Sequence, residues 1–183
     1  MKILEIKPLI ASQVSEVVAL DQVCFGGLWT AEGYLREIDS PNSSLLVLYL
    51  TDAGASNSSK MIGIACLWSI VEEAHVTLLG VHPSYRRQGL GKLLLLTLLK
   101  DAIARKLQWA TLEVNINNGQ AIKLYEKFGF KVAGKRKGYY QETGEDALIL
   151  WRKDIQQREF KQALAQWQHN LYSHLRSHHY CLN

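Results

Sequence analysis

Cysteine, proline and long apolar runs are all scarce in this chain of 183 residues, which has three cysteines and three prolines. The longest unbroken apolar stretch, Leu45 to Leu50, and shorter ones such as Leu93 to Leu96 fall far short of the roughly 20 residues that cross a bilayer. A transmembrane helix is excluded and no membrane partner is expected. Cys24, Cys66 and Cys181 are odd in number, far apart and never in a C-x-x-C pair, which suggests neither a disulfide framework nor a zinc site. An apolar content of 48% with 21% charged residues excludes a disordered, collagen-like or coiled-coil chain. The opening Met1-Lys2-Ile3-Leu4-Glu5 places an acid where a signal peptide would be apolar, so a cytoplasmic protein is expected.

The length suits one core plus an appendage. The net charge of +4 is unevenly spread. Residues 1–80 carry four Lys/Arg against nine Asp/Glu, whereas residues 81–105 carry Arg86, Arg87, Lys92, Lys100 and Arg105 against Asp101 alone. A nucleic-acid binder would spread positive charge over a face with stacking aromatics. Here the charge gathers in one loop and the helix after it, and no direct nucleic-acid contact is expected.

Apolar spacing predicts a strand over Leu4–Pro8 and a helix over Ile10–Phe25. A Gly26-Gly27-Leu28-Trp29 elbow follows, then a short helix capped by Thr30 and ending near Pro41. Strands over Ser44–Thr51, Met61–Ile70 and His75–Val81, with a polar loop over Asp52–Ser59, read as an antiparallel meander. Gly89–Lys106 reads as a buried leucine-rich helix, Trp109–Val114 as a strand, and Asn117–Phe128 as a helix stopped by Gly129. Lys131–Tyr140 and Asp146–Arg152 close the pattern as an antiparallel pair. The order is βααβββαβαββ, a mixed α/β fold over residues 1–152. Residues 153–183 form an amphipathic helical extension, with Ile155, Phe160, Leu164, Trp167, Leu171 and Leu175 at three- and four-residue spacing. This extension is expected either to fold back on the sheet or to serve dimerisation, and the state is monomer or homodimer. His169, His174, His178, His179 and Cys181 tempt a metal reading, but a helix end tolerates exposed histidines and no metal is expected.

The segment Arg86-Arg87-Gln88-Gly89-Leu90-Gly91-Lys92 joins a strand to a helix. Such a turn aims backbone N–H groups and the positive end of a helix dipole at one point, where a phosphate or pyrophosphate is the natural occupant. Glycines at 89 and 91 let the backbone approach a ligand closely. A plain helix start with basic flanks is the alternative. The spacing matches neither a nucleotide triphosphatase loop nor a dinucleotide fingerprint.

Arg-Arg-Gln-Gly-Leu-Gly after a strand ending Leu-Gly-Val-His-Pro resembles the acetyl-CoA pyrophosphate loop of the GNAT superfamily of N-acetyltransferases, and the element order is that fold's order. Leu112-Glu113-Val114, Asn117-Asn118, Leu124-Tyr125-Glu126, Phe128-Gly129-Phe130, Tyr139-Tyr140 and Glu145-Asp146-Ala147 are similar to the N-terminal-amine branch, in particular the ribosomal-protein alanine N-acetyltransferases. The resemblance covers about residues 3–152.

The resemblance implies acetyl-CoA as co-substrate, its pantetheine arm bonded to Leu79, Gly80 and Val81 and its pyrophosphate held by residues Arg86 to Lys92. Asn118 would hold the same arm, or simply cap its helix. Glu113 would be the general base and Tyr125 the general acid; the plainer alternatives are a solvated strand-end carboxylate and a core tyrosine. Leu28, Trp29 and Tyr139 would line the acceptor site. Gly138-Tyr139-Tyr140-Gln141 and Gly26-Gly27 depart from the pattern of similar proteins and would widen it. The implied activity is acetylation of the α-amine of a protein N-terminus, with ribosomal proteins among the candidates, whose basic character would suit the acidic first 80 residues. Acetylation of a small amine and a non-catalytic acetyl-CoA-binding module are the other readings.

Overall fold

A computed structural model of the chain describes residues 2–52, 54 and 58–183. Strands β1 (Lys2–Pro8), β2 (Ser43–Asp52), β3 (Ser59–Ile70), β4 (Glu73–Val81), β5 (Trp109–Asn115), β6 (Lys131–Tyr140), β7 (Glu145–Arg152) and β8 (Tyr180–Leu182) form one sheet. The order across it is β6-β7-β5-β4-β3-β2-β1-β8. The helices are α1 (Val14–Phe25), α2 (Ala31–Asp39), α3 (Leu90–Ala104), α4 (Gly119–Lys127) and α5 (Arg158–Ser177). The polar loop expected over Asp52–Ser59 includes residues 53 and 55–57, which lie outside the described residues.

Alternation along the central strands sorts the core into two layers, because successive side chains of a strand face opposite sides of the sheet. Leu45, Val47 and Tyr49 join Val17, Leu20 and Tyr34 of α1 and α2, whereas Leu48 and Leu50 join the leucines of α3. The leucines of α3 are buried all round: Leu90, Leu93, Leu94, Leu95, Leu96, Leu98 and Leu99 all have negligible exposure. That is the pattern of a helix enclosed between a sheet and another helix.

The meander β2-β3-β4 is antiparallel, as is the β6-β7 pair. The helix expected from Ile10 begins instead as a 3-10 turn over Ala11–Gln13 and becomes α-helical at Val14. Thr30 caps α2, its Oγ1 accepting the Gly33 N–H at 3.1 Å. Among the described residues, no helix is long and apolar enough to cross a membrane.

The chain after residue 153 is not purely helical. Helix α5 is followed by β8, which pairs in parallel with β1 through Lys2↔Tyr180, Ile3↔Cys181 and Leu4↔Leu182. Phe160, Leu164, Leu171, Leu175 and Tyr180 are buried in the same apolar cluster as α3. A three-residue strand carries too little pattern to be legible in sequence; pairing with the β1 edge forms it.

Candidate active site

The sheet opens between β4 and β5. Their parallel pairing holds only from Glu73↔Trp109 to Val76↔Leu112. Beyond that point β4 continues to Val81 against β3, while β5 continues to Asn115 against β7. The His82 N–H donates to Ile62 O in β3 at 2.9 Å. By alternation Gly80 also faces β3, and Leu79 and Val81 turn their backbone groups to the gap. The Val81 carbonyl accepts from Arg86 Nε at 3.0 Å, which leaves its N–H on the open side. Gly80 answers a different demand: a Cβ there would stand 2.5 Å from Phe25 Cζ.

Glu113 is the first residue of β5 past the last β4 pair and its side chain is only 10% exposed. Glu73, His75, Thr111 and Glu113 share one face of the β4-β5 junction, as the two-residue period requires. Glu113 Oε2 lies 2.9 Å from His75 Nε2, and Glu113 Oε1 lies 3.2 Å from Arg136 Nε of β6. The other nitrogen of the ring, His75 Nδ1, is 3.2 Å from Glu73 Oε1, to which the Thr111 hydroxyl also donates. The result is a carboxylate–imidazole–carboxylate chain ending at the open gap. The sequence pattern marks His75 only as a strand residue. The available signal was the pair of alternations Glu73/His75 and Thr111/Glu113, but the register that joins them is tertiary.

Tyr125 sits on α4, 7% exposed, with its ring edge against Phe130 at 5.8 Å. Burial, with a smaller effect of Tyr140, holds its phenol pKa well above the ordinary value. Trp109 Nε1 is the one fully buried side-chain polar atom without a partner among the described residues. The Tyr125 hydroxyl has no protein hydrogen-bond partner among the described residues, yet it is not such a fully enclosed atom. Asn118 takes the capping role: its Oδ1 accepts the Ala121 N–H at 3.1 Å. Its amide nitrogen has no hydrogen-bond partner among the described residues. Glu145 ties the end of β5 to β7 by accepting from Asn115 Nδ2 at 2.6 Å and Asn117 Nδ2 at 2.8 Å.

The basic loop runs through a 3-10 turn at Pro83–Tyr85, then left-handed conformations at Arg87 (φ +66°) and Gly89 (φ +87°). Gly89 caps α3 without a side-chain bond, so the first N–H groups of the helix, at Leu90, Gly91 and Lys92, are free donors. A terminus of this kind fits a pyrophosphate, and the β4-β5 gap beside it fits an extended arm with strand-like hydrogen bonding. The side chains of the loop do different things. Leu90 is in the core, Arg86 is turned onto Val81, and the Gln88 side-chain oxygen accepts from the Tyr180 hydroxyl. Lys92 is half-buried; burial and then Lys127 push its pKa down.

Asp21, fully buried in α1, fixes the elbow. It accepts from the Leu28 N–H at 2.6 Å, the Trp29 N–H at 3.0 Å and the Tyr34 hydroxyl at 2.6 Å. Three donors answer the cost of burying this carboxylate. Leu28 is thereby presented to solvent, and Trp29 stacks on Trp68 with centroids 6.2 Å apart and planes 13° apart. Trp68 Nε1 donates to Glu37 Oε2 at 2.8 Å, and its ring is 6.4 Å from that of His75. The elbow is thus connected to Glu113 through Trp68 and His75, neither of which sequence reading singled out. Tyr139 is exposed on β6, and burial followed by the Glu113 charge raises its pKa. The bulge beside it is held by Gly138, at φ +58°, whose N–H donates to Asp146 Oδ1 at 2.9 Å.

A mixed sheet split between its fourth and fifth strands, with a bare helix N-terminus at the split, defines an acyl-CoA N-acyltransferase type of fold. The Acetyltransferase (GNAT) family model matches residues 14–130, and the chain belongs to that family as an acetyl-transferring enzyme. A Bacillus subtilis protein provisionally named ribosomal protein bS18-alanine N-acetyltransferase is 32% identical over 142 residues, 75% of this chain and 87% of its own. The enzyme so named in Escherichia coli K12 is 38% identical over 97 residues, 52% of this chain and 66% of its own. The crystal structure of the E. coli ribosomal-protein-S18-alanine N-acetyltransferase superposes with TM-score 0.71 at 28% identity, covering 82% of this chain and 94% of that one.

Proposed function

We propose that the protein acetylates the α-amine of a protein N-terminus, that of a ribosomal protein among the candidates, by direct transfer from acetyl-CoA. The observation that carries this reading is Glu113, paired with His75 and Arg136 at the mouth of the β4-β5 gap and joined by Trp68 to the Trp29 elbow. Relatives named for the alanine N-terminus of ribosomal protein bS18 support the acceptor class.

Acetyl-CoA supplies an activated thioester. Everything else is work for the chain's own groups. An α-amine has a pKa near ~8 and is mostly protonated at neutral pH, so a base must free its lone pair. Glu113 takes that proton, directly or through one water, with His75 fixing the orientation of its carboxylate. The amine nitrogen then bonds to the acetyl carbon as the carbon–sulfur bond breaks, and the second proton that the nitrogen loses passes to solvent water. The Val81 N–H polarises the carbonyl oxygen. Tyr125, whose proton is held tightly by burial, delivers it to the departing sulfur. Leu79 and Val81 line the arm of the donor, with Gly80 between them bonded to β3 instead, and the Gly89–Lys92 helix start binds its pyrophosphate, with Arg86, Arg87, Gln88 and Asn118 around it. Leu28, Trp29 and Tyr139 receive the first residues of the acceptor. No covalent enzyme intermediate is needed, since no cysteine belongs to this set.

The test is acetyl-CoA-dependent mass gain on N-terminal peptides beginning with Ala, Ser, Met and Thr, beside free lysine and spermidine. Modification of the peptide α-amine that disappears in Glu113→Gln is the expected result. Acetylation of the small amines alone would replace this reading by the small-amine one.

A further inference from the structure

A second feature borders the basic loop at the start of α3. A cavity of about 390 Å³ lies between the start of α3, the end of α4 and the middle of α5, lined by Lys92, Lys127, Phe128, Trp167, Asn170 and His174 among others. Lys92 and Lys127 form no ion pair among the described residues, and no carboxylate lines the cavity. Its apolar wall is the Phe128–Trp167 edge-to-face pair, centroids 5.0 Å apart. Helix α5 also rests directly on the loop: a Cβ on Gly89 would stand 3.1 Å from Leu171 Cδ1 and 3.2 Å from His174 Cδ2. The Tyr180 hydroxyl bonds Gln88 from the strand that follows.

We propose that α5 completes the donor site, with Lys92, Lys127 and His174 taking the 3′-phosphate of a CoA nucleotide and Trp167 and Phe128 flanking its adenine. The proposal rests on the acetyl-CoA reading above. Three groups able to carry positive charge, brought together without an acid, repel one another until an anion joins them. A ring-sized space with aromatic edges beside them suits a base attached to a phosphomonoester. Lys92 links the two halves, since it is both in the first turn of α3 and in the cavity wall. The lowered pKa values of Lys92 and His174, from burial first and then from neighbouring cations, agree with this. His178, whose ring is tilted against that of His174 with centroids 4.3 Å apart, adds to the same field. Residues 158–177 lie outside the stretch matched by the family model, so this wall is a feature of the chain's own extension.

Calorimetric titration of the full-length protein with CoA and with 3′-dephospho-CoA, at low salt, tests the proposal. The wild type is expected to bind CoA at least about fivefold more tightly. Lys127→Gln and His174→Gln, both at exposed positions, should each reduce that ratio about threefold or more by weakening CoA alone. Equal affinity of the wild type for the two ligands overturns the proposal and leaves the acetyl-CoA reading standing. So does a ratio that survives His174→Gln, or variants that weaken both ligands alike. Failure to bind either ligand overturns the proposal together with the reading beneath it.

Discussion

His75 Nε2 and Glu113 Oε2 meet at 2.9 Å across the last paired rung of β4 and β5. The imidazole connects the carboxylate at the open gap to Glu73 and Thr111 behind it. If Glu113 is the base and His75 positions it, Glu113→Gln should lower kcat about 10²-fold or more with little change in the KM for acetyl-CoA. His75→Gln should cost about tenfold alone but under about twofold when added to Glu113→Gln. Steady-state rates across that double-mutant cycle decide it; additive losses would show that the two act separately.

Tyr125→Phe removes only a hydroxyl that has no protein partner among the described residues. A drop in kcat of roughly 10- to 100-fold with an unchanged melting temperature is expected. A rate equal to wild type would return Tyr125 to the role of a packing residue.

Alkaline stability should follow the buried phenols. Burial and the Asp21 hydrogen bond raise the Tyr34 pKa, and burial raises that of Tyr125. A phenol with a folded pKa above its unfolded value near ~10 binds its proton more tightly in the native state. Its stabilisation is complete below that value and is lost as pH rises past it. Urea melts at about pH 8 and about pH 11 should show a marked loss in wild type and a smaller one in Tyr34→Phe.

Asp21→Ala should cost about 3 kcal/mol or more, because the Leu28 and Trp29 N–H groups and the Tyr34 hydroxyl all lose their acceptor. The elbow would loosen as well, so the KM for peptide should rise more than that for acetyl-CoA. Denaturant melts and kinetics with each substrate varied read the two effects.

Gly80→Ala should destabilise by about 1–3 kcal/mol through its clash with the Phe25 ring. Phe25→Leu placed beside it should recover part of that loss. Loss of acetyl-CoA binding with full stability would instead assign Gly80 to the donor arm alone.

Packing of the extension is measurable in the same way. Phe160, 2% exposed in the cluster with α3, should cost about 3–5 kcal/mol on replacement by alanine. A loss near zero would mean that α5 is an ornament on a core that stands without it.

The linear sequence determined the order of elements, the leucine-rich burial of α3, the Thr30 and Gly89 helix starts, and the basic loop that feeds an uncapped helix. Each of these depends on residues within a turn or two of one another, where periodicity and cap chemistry act. The GNAT resemblance came from the same kind of local run. What only the tertiary structure decided depends on register and on packing between distant segments. His75 reaches Glu113 because Glu73–Val76 pairs with Trp109–Leu112 and then stops. Trp68 joins the elbow because β3 places it opposite His75 in the pairing with β4. Asn118 is a cap by virtue of one bond to Ala121, and sequence left that alternative open. The last residues become a strand because β1 offers an unpaired edge, and α5 meets the basic loop at Gly89, where Leu171 and His174 pack closely. Local pattern specifies segments; hydrogen-bond register and close packing, which join residues far apart in the chain, specify the site.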